Sequence, residues 1–204
     1  KANCDNDHIR VYIDSNAHIQ DRTGAILNGG ESPVEEMTSA LRNLEKCGAD
    51  CIIMPCNTAH YFLPQLQEKT AVPFISMLNP TACTCAALYP GKKAAILATK
   101  GTLATGLYEE ALKAVGVPYL VPDAHEQDEL MYLIYDVVKA SRPLLPEEGR
   151  WAALLEGLRR KGADYFILGC TELSVIRRAL ALDPYYLDAM EVLAKACVAW
   201  SLNG

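Results

Sequence analysis

No run in this 204-residue sequence approaches the roughly 20 apolar residues that a membrane-spanning helix needs, and the opening decapeptide KANCDNDHIR lacks a secretory-signal pattern. There is no basic block. The formal net charge is −6 and the charges are spread out, so nucleic acid is not an expected partner and neither is a membrane surface. Cys-x-x-Cys is absent, which argues against a thiol redox relay. Lys100-Gly101-Thr102 lacks the Gly-x-x-x-x-Gly-Lys-Ser/Thr spacing of a nucleotide loop, so a carboxylate cradle fits it better than a phosphate one. The eight cysteines lack the tight framework of a small secreted domain, and a chain this long, half apolar, can bury a core without staples. Free thiols in a reducing cytoplasm are therefore expected. No metal is expected either: Cys47 ends a predicted helix while Cys51 and Cys56 lie on a predicted strand, so these three and His60 do not converge on one ion.

What the sequence does have is an alternation of short apolar strands with amphipathic helices. Strands are predicted at Ile9–Asp14, Cys51–Pro55, Val72–Met77, Ala94–Thr99, Tyr119–Val121 and Tyr165–Leu168. Helices are predicted at Pro33–Lys46 (with Ser32 as N-cap), His60–Lys69, Thr81–Tyr89, Thr105–Val115, Leu130–Lys139, Glu147–Lys161 and Met190–Leu202. This order implies right-handed βαβ crossovers, parallel sheets and an α/β fold, with ligands beyond the carboxyl ends of the strands, where Cys56, Thr99 and Cys170 fall.

The sequence also repeats itself. LEKCGADCIIMPCNT (Leu44–Thr58) and LRRKGADYFILGCT (Leu158–Thr171) superpose at an offset of 114, which puts Gly162 on Gly48, Asp164 on Asp50 and Cys170 on Cys56. Each copy reads as a helix end, a glycine suited to the left-handed cap, an apolar strand, then a cysteine followed by small polar residues. In the second copy the strand and turn of Ala94–Gly106 precede the cysteine strand. The same offset places their counterpart roughly 20 residues ahead of Lys1, so a further strand and loop are expected there.

Two cysteines at equivalent places in two similar halves can face one another across a cleft. That arrangement suits removal of a proton from one face of a carbon and return of one to the other. A free thiol titrates near 8.5, and a helix N-terminus stabilises a negative group by only about 0.3–1 kcal/mol, so the dipole alone does not make a base for a carbon acid. Desolvation and hydrogen bonds from Asn57, Thr58 or Thr171 must assist by stabilising enolate-like charge.

MPCNTAH (Met54–His60) and LGCTEL (Leu168–Leu173) resemble the paired signature motifs of the aspartate/glutamate racemase family. DHIRVYIDSNAHIQDRTGAIL (Asp7–Leu27) and LATKGTLATGLYEEAL (Leu97–Leu112) resemble its aspartate-type branch. The resemblance implies a cofactor-independent amino-acid racemase of two pseudo-symmetric α/β domains, a first half of 1–90 with 183–204 and a second of 91–182, with the site between them and a homodimer as the assembly. By motif match it makes Cys56 and Cys170 the acid/base pair. Asn57, Thr58, Thr99 and Thr171 would hold the α-carboxylate and amino group, and Arg22 and Lys139 would meet a side-chain carboxylate, as in aspartate or glutamate. The sequence departs from the family at Gln20, where proline is usual, and at Glu172, where glutamate racemases carry histidine. The family's N-terminal strand and glycine-rich loop are also not in it. A non-catalytic amino-acid-binding protein of the same fold, or a related decarboxylase or isomerase, is the alternative.

Overall fold

A computed structural model describes residues 3–180 and 185–203. Its centre is set by two strands that are apolar on both faces, β3 (Ala94–Leu97) and β5 (Tyr165–Leu168), every residue of which is buried. Strands of that kind belong inside a parallel sheet covered on both sides. The four-stranded parallel sheet runs β4-β3-β5-β6, with β4 at Tyr119–Leu120 and β6 at Tyr186–Asp188. Alternate residues feed two cores. Ala95, Leu97, Phe166 and Leu168 face Leu133, Trp151 and Leu158, while Ala94, Ile96, Tyr165 and Ile167 face Leu78, Tyr108 and Val192.

The first core is roofed by α7 (Ala124–Met131) and its π-helical continuation Tyr132–Lys139, by α8 (Glu148–Arg160) and by α9 (Thr171–Leu180). The second lies under α4 (Leu78–Leu88), α6 (Leu107–Ala114) and α10 (Ala189–Asn203). A smaller parallel pair, β1 (Ile52–Ile53) with β2 (Phe74–Ile75), sits beside α1 (Arg22–Leu27), α2 (Val34–Lys46) and α3 (Leu63–Gln67) around Met37, Phe62 and Leu66.

The repeat has a shared local structure. Gly48 and Gly162 both adopt positive φ, 79° and 95°. In both copies the glycine N–H donates to the carbonyl three residues back (Glu45, Arg159), and the next alanine N–H donates to the carbonyl five back (Leu44, Leu158). This cap satisfies the last carbonyls of α2 and α8 and turns each chain into its cysteine strand.

Several expectations need correction. Residues 9–14 form no strand. The helix expected over Thr105–Val115 is two, α5 (Lys100–Ala104) and α6, because Gly106 turns left-handed at φ 67° between them. The helix expected from Leu130 starts earlier, at Asp123, whose carboxylate caps Glu126 N–H while Glu126 reaches back to the Asp123 N–H. Strand β6 was not anticipated. It comes from the 183–204 segment assigned to the first half, yet it pairs with β5, while α10 returns to pack on α4 and β2. The proposed boundary at 182/183 lies outside the described residues.

Candidate active site

The carboxyl ends of β1, β3 and β5 converge, and each strand is followed at once by a helical start. After β1 comes Pro55-Cys56-Asn57 and a 3-10 turn from Thr58; after β3, Thr99 caps α5; after β5, Gly169-Cys170 leads into α9. Asp21 caps α1 by accepting from Gly24 N–H at 2.6 Å. Helix starts present unpaired N–H groups, so this junction favours an anion. Close approach requires glycine at two places. A Cβ on Gly101 would lie 2.8–3.1 Å from Thr23, and one on Gly169 would lie 3.1 Å from Ala98, Leu97 and Tyr108.

A cavity of about 90 Å³ opens at the junction. Its wall contains all eight residues singled out from the sequence: Cys56 and Cys170, Asn57, Thr58, Thr99 and Thr171, and Arg22 and Lys139. Asp21, Thr23, Tyr135 and Glu172 complete the polar lining.

Cys170 is strongly perturbed. Burial first, and then the Glu172 carboxylate and Cys56, push its thiol well above the ordinary range. The geometry agrees, since the Cys170 S–H donates to Glu172 Oε2 at 2.9 Å. Thr171 Oγ1 donates to the same oxygen at 3.1 Å, and Lys139 Nζ lies 4.0 Å from Oε1. Lys139 also stands 4.2 Å over the Tyr135 ring. Tyr135 donates to Asp21 Oδ1 at 3.0 Å, and burial pushes its phenol up to about 12, so it remains a donor. Both Tyr135 and Lys139 ride on the π-helical stretch, a distortion often found where side chains must be re-aimed toward a site. Arg22 Nη1 donates to the carbonyls of Ile19 (3.2 Å) and Gln20 (3.0 Å), which fixes the guanidinium in the cavity wall.

On the other side, buried hydroxyls cluster. Thr58 Oγ1 lies 3.1 Å from Thr99 Oγ1 and 2.7 Å from Thr102 Oγ1, and Thr99 and Thr102 are 3.0 Å apart. Thr99 Oγ1 also accepts from Thr102 N–H at 3.2 Å and from Thr23 Oγ1 at 3.5 Å. Asn57 is held by the Tyr108 hydroxyl, which donates to its Oδ1 at 2.5 Å.

His60 does not line the cavity. The Met77 N–H donates to its Nε2 at 3.1 Å, so Nδ1 must carry the proton and donate to the Cys56 carbonyl at 2.9 Å. Burial lowers its pKa, consistent with a neutral ring that locks the Cys56 turn to the start of α4. Among the described residues, no three His, Cys, Asp or Glu side chains are grouped to hold a metal ion, and no helix is long and apolar enough to cross a membrane. The sequence reading missed Thr102 and Tyr108. Thr102 had a readable signal, a hydroxyl three residues after the Thr99 cap; nothing local marked Tyr108.

Comparison with known proteins adds family evidence to this geometry. The profile of the Asp/Glu/hydantoin racemase family matches residues 1–197. The broad specificity amino-acid racemase RacX of Bacillus subtilis is 30% identical over 156 residues, 76% of this chain and 66% of that protein. The glutamate racemase of Desulforudis audaxviator is 26% identical, across 91% of this chain and 67% of its own length. The chain thus spans about half to two thirds of the first curated relatives that it matches. Among solved structures, aspartate racemase from Picrophilus torridus superposes with a TM-score of 0.84 at 28% identity, covering 98% of this chain and 83% of that one.

Proposed function

The chain belongs to the Asp/Glu/hydantoin racemase family, and from that membership we propose that it interconverts the enantiomers of an acidic amino acid by proton transfer between Cys56 and Cys170. The observation that carries the reading is the single cavity into which both thiols and the six proposed binding residues project.

In the scheme, the Cys56 thiolate takes the α-proton from one face of the substrate, breaking C–H and forming S–H. The Cys170 S–H delivers its proton to the opposite face, forming C–H and leaving Cys170 as thiolate. The reverse reaction exchanges the roles. Glu172 supports Cys170 as the protonated partner, because an anion beside a buried thiol disfavours thiolate. The helix starts at Asn57–Thr58, Thr99 and Thr171 face the α-carboxylate and supply donors where enolate-like charge develops. Lys139 and Arg22 provide positive charge for a side-chain carboxylate, which favours aspartate or glutamate. The thiols carry both protons, so pyridoxal phosphate has no part in this scheme. A cytoplasmic homodimer is the setting we assign to it, since free thiols require a reducing compartment.

Proton NMR of L-aspartate and L-glutamate in D₂O, with Cys56→Ala and Cys170→Ala alongside, tests the reading. The α-proton signal should disappear with the wild-type chain, and full racemisation should require both cysteines. Retention of the α-proton on both amino acids, also in a chain extended ahead of Lys1, would sink it.

A further inference from the structure

In the four-stranded sheet, β5 is paired on both edges. Phe166 and Ile167 face Ala95 and Ile96 of β3 on one side, and Tyr186 and Leu187 of β6 on the other. The repeat places Phe166 and Ile167 on Ile52 and Ile53, which pair with Phe74 and Ile75 of β2. So β2 takes the part of β6, and like β6 it leads directly into a helix, α4 for one and α10 for the other. The opposite edge of β1 is open: among the described residues no strand pairs there.

Three observations mark that edge as a receptor. Ile53 is 36% exposed, whereas its equivalent Ile167 is fully buried. A mainly apolar cavity of about 240 Å³ runs along it, lined by Ile19, Met37, Leu41, Ile52, Ile53 and Phe74. Across the cavity lies the segment 9–14, the counterpart of β4 in the order of elements. It is held to α2 by Asn43 donating to Asp14 (2.8 Å) and, just beyond, by Asn16 donating to Glu36 (2.8 Å), yet it leaves Val11 69% and Ile13 84% exposed. β4 itself pairs only with β3, so a segment in the β4 position has nothing to pair with unless a strand lies between it and β1.

We propose that β1 and residues 9–14 form a slot for one further parallel strand, giving the order 9–14, inserted strand, β1, β2, the same as β4-β3-β5-β6. The occupant is a strand that the same polypeptide carries ahead of Lys1. Ala95 precedes its partner Phe166 by 71 residues, and that span taken back from Ile52 reaches about 20 residues ahead of Lys1. The Picrophilus torridus structure, matched over 98% of this chain but 83% of its own, has residues to spare for such a strand. Its chemistry follows from the slot. Like Ala94–Leu97, it is a run of about four residues apolar on both faces, and the residue after it approaches the Cys56 turn much as Thr99 follows β3. The proposal stands whether or not the chain turns over an amino acid.

Amide hydrogen exchange tests it, on this chain alone and on the chain extended by the segment its gene encodes ahead of Lys1. The Ile52 N–H donates toward β2, to Pro73 O, so the Ile53 N–H faces the open edge. In the extended chain the Ile53 amide should exchange about a hundredfold more slowly, together with amides in 9–14. Equal exchange in the two chains would overturn the proposal. So would protection in the unextended chain that grows with its concentration, which would mean strand exchange between copies. Val11→Asp with Ile13→Asp alters two exposed side chains and should leave the melting of the unextended chain unchanged, while the extended chain loses its added protection. Protection that survives this pair would remove residues 9–14 from the slot and refute the proposed order.

Discussion

Tyr108 connects the two cysteine turns, and its removal gives the sharpest test of how the site is held. The ring is fully buried on α6 and lies so close to Gly169 that an added Cβ there would meet it at 3.1 Å. Its hydroxyl donates to Asn57 Oδ1, the residue next to Cys56. Burial raises the phenol pKa, so it remains a neutral donor. Tyr108→Phe keeps the ring and its packing, so no cavity cost arises, and the loss is confined to the hydrogen bond. A neutral bond contributes about 1 kcal/mol net, but the partner left behind is a buried carbonyl, which raises the expected cost to about 1–3 kcal/mol. For a chain of this size each kcal/mol moves the melting temperature by about 2–4 °C, so a fall of several degrees is expected in a calorimetric scan. Asn57 loses its anchor as well, so kcat/KM for the preferred amino acid should fall, by about tenfold for each 1.4 kcal/mol of transition-state stabilisation lost. The decisive measurement is a double-mutant cycle with Asn57→Ala. If the contact is what matters, the two changes should couple by more than about 0.5 kcal/mol. Simple additivity, or an unchanged melting temperature in Tyr108→Phe, would refute the linkage.

Two further outcomes follow from the titrating groups. Because burial lowers the His60 pKa, the unfolded chain binds the His60 proton more readily than the folded one. Its contribution to stability is therefore present above the ordinary histidine value, about 6.5, and is lost as pH falls below it. Urea unfolding across that range should show an acid limb that flattens in His60→Asn, and an identical limb in the variant would contradict the assignment. In Glu172→Gln the Cys170 thiol should ionise at lower pH than in the wild type, because the anion that disfavours thiolate is gone. Thiolate absorbance corrected with Cys170→Ala reads this directly, and an unmoved titration would show that burial alone sets the thiol.

Much of this was legible because the strongest signals were local. The run YFIL is apolar at every position and bounded by Asp164 and Gly169, and it forms β5 over the expected residues. The glycine caps and cysteine turns follow from short-range backbone rules and recur at a fixed offset, so the eight cavity residues could be named without coordinates. What failed depends on partners distant in sequence. Residues 9–14 alternate like a strand, but a strand exists only when another lies beside it, and none of the described residues does. β6 is three residues long and owes its existence to β5 rather than to its own pattern. The π-helical register of Tyr132–Lys139 left no trace in an apolar periodicity that suits an α-helix equally well. Glu172 was noticed as a departure from a family habit. Its role beside Cys170 needed the side-chain geometry.

The threonine cluster has a consequence that follows from counting lone pairs. Thr99 Oγ1 accepts from both the Thr102 N–H and the Thr23 hydroxyl, which fills its two acceptor positions. Its own proton must then go outward, to Thr58 or to Thr102. If it goes to Thr58 and Thr58 donates on to Thr102, the last proton is stranded at Thr102, which is buried and lies off the cavity wall. If it goes to Thr102 and Thr102 donates to Thr58, the last proton leaves from Thr58, which does line the cavity. Only the second order wastes nothing. A trio of uncharged side chains thereby acquires a direction, and it delivers a hydrogen toward an incoming carboxylate without placing a cation beside the thiols.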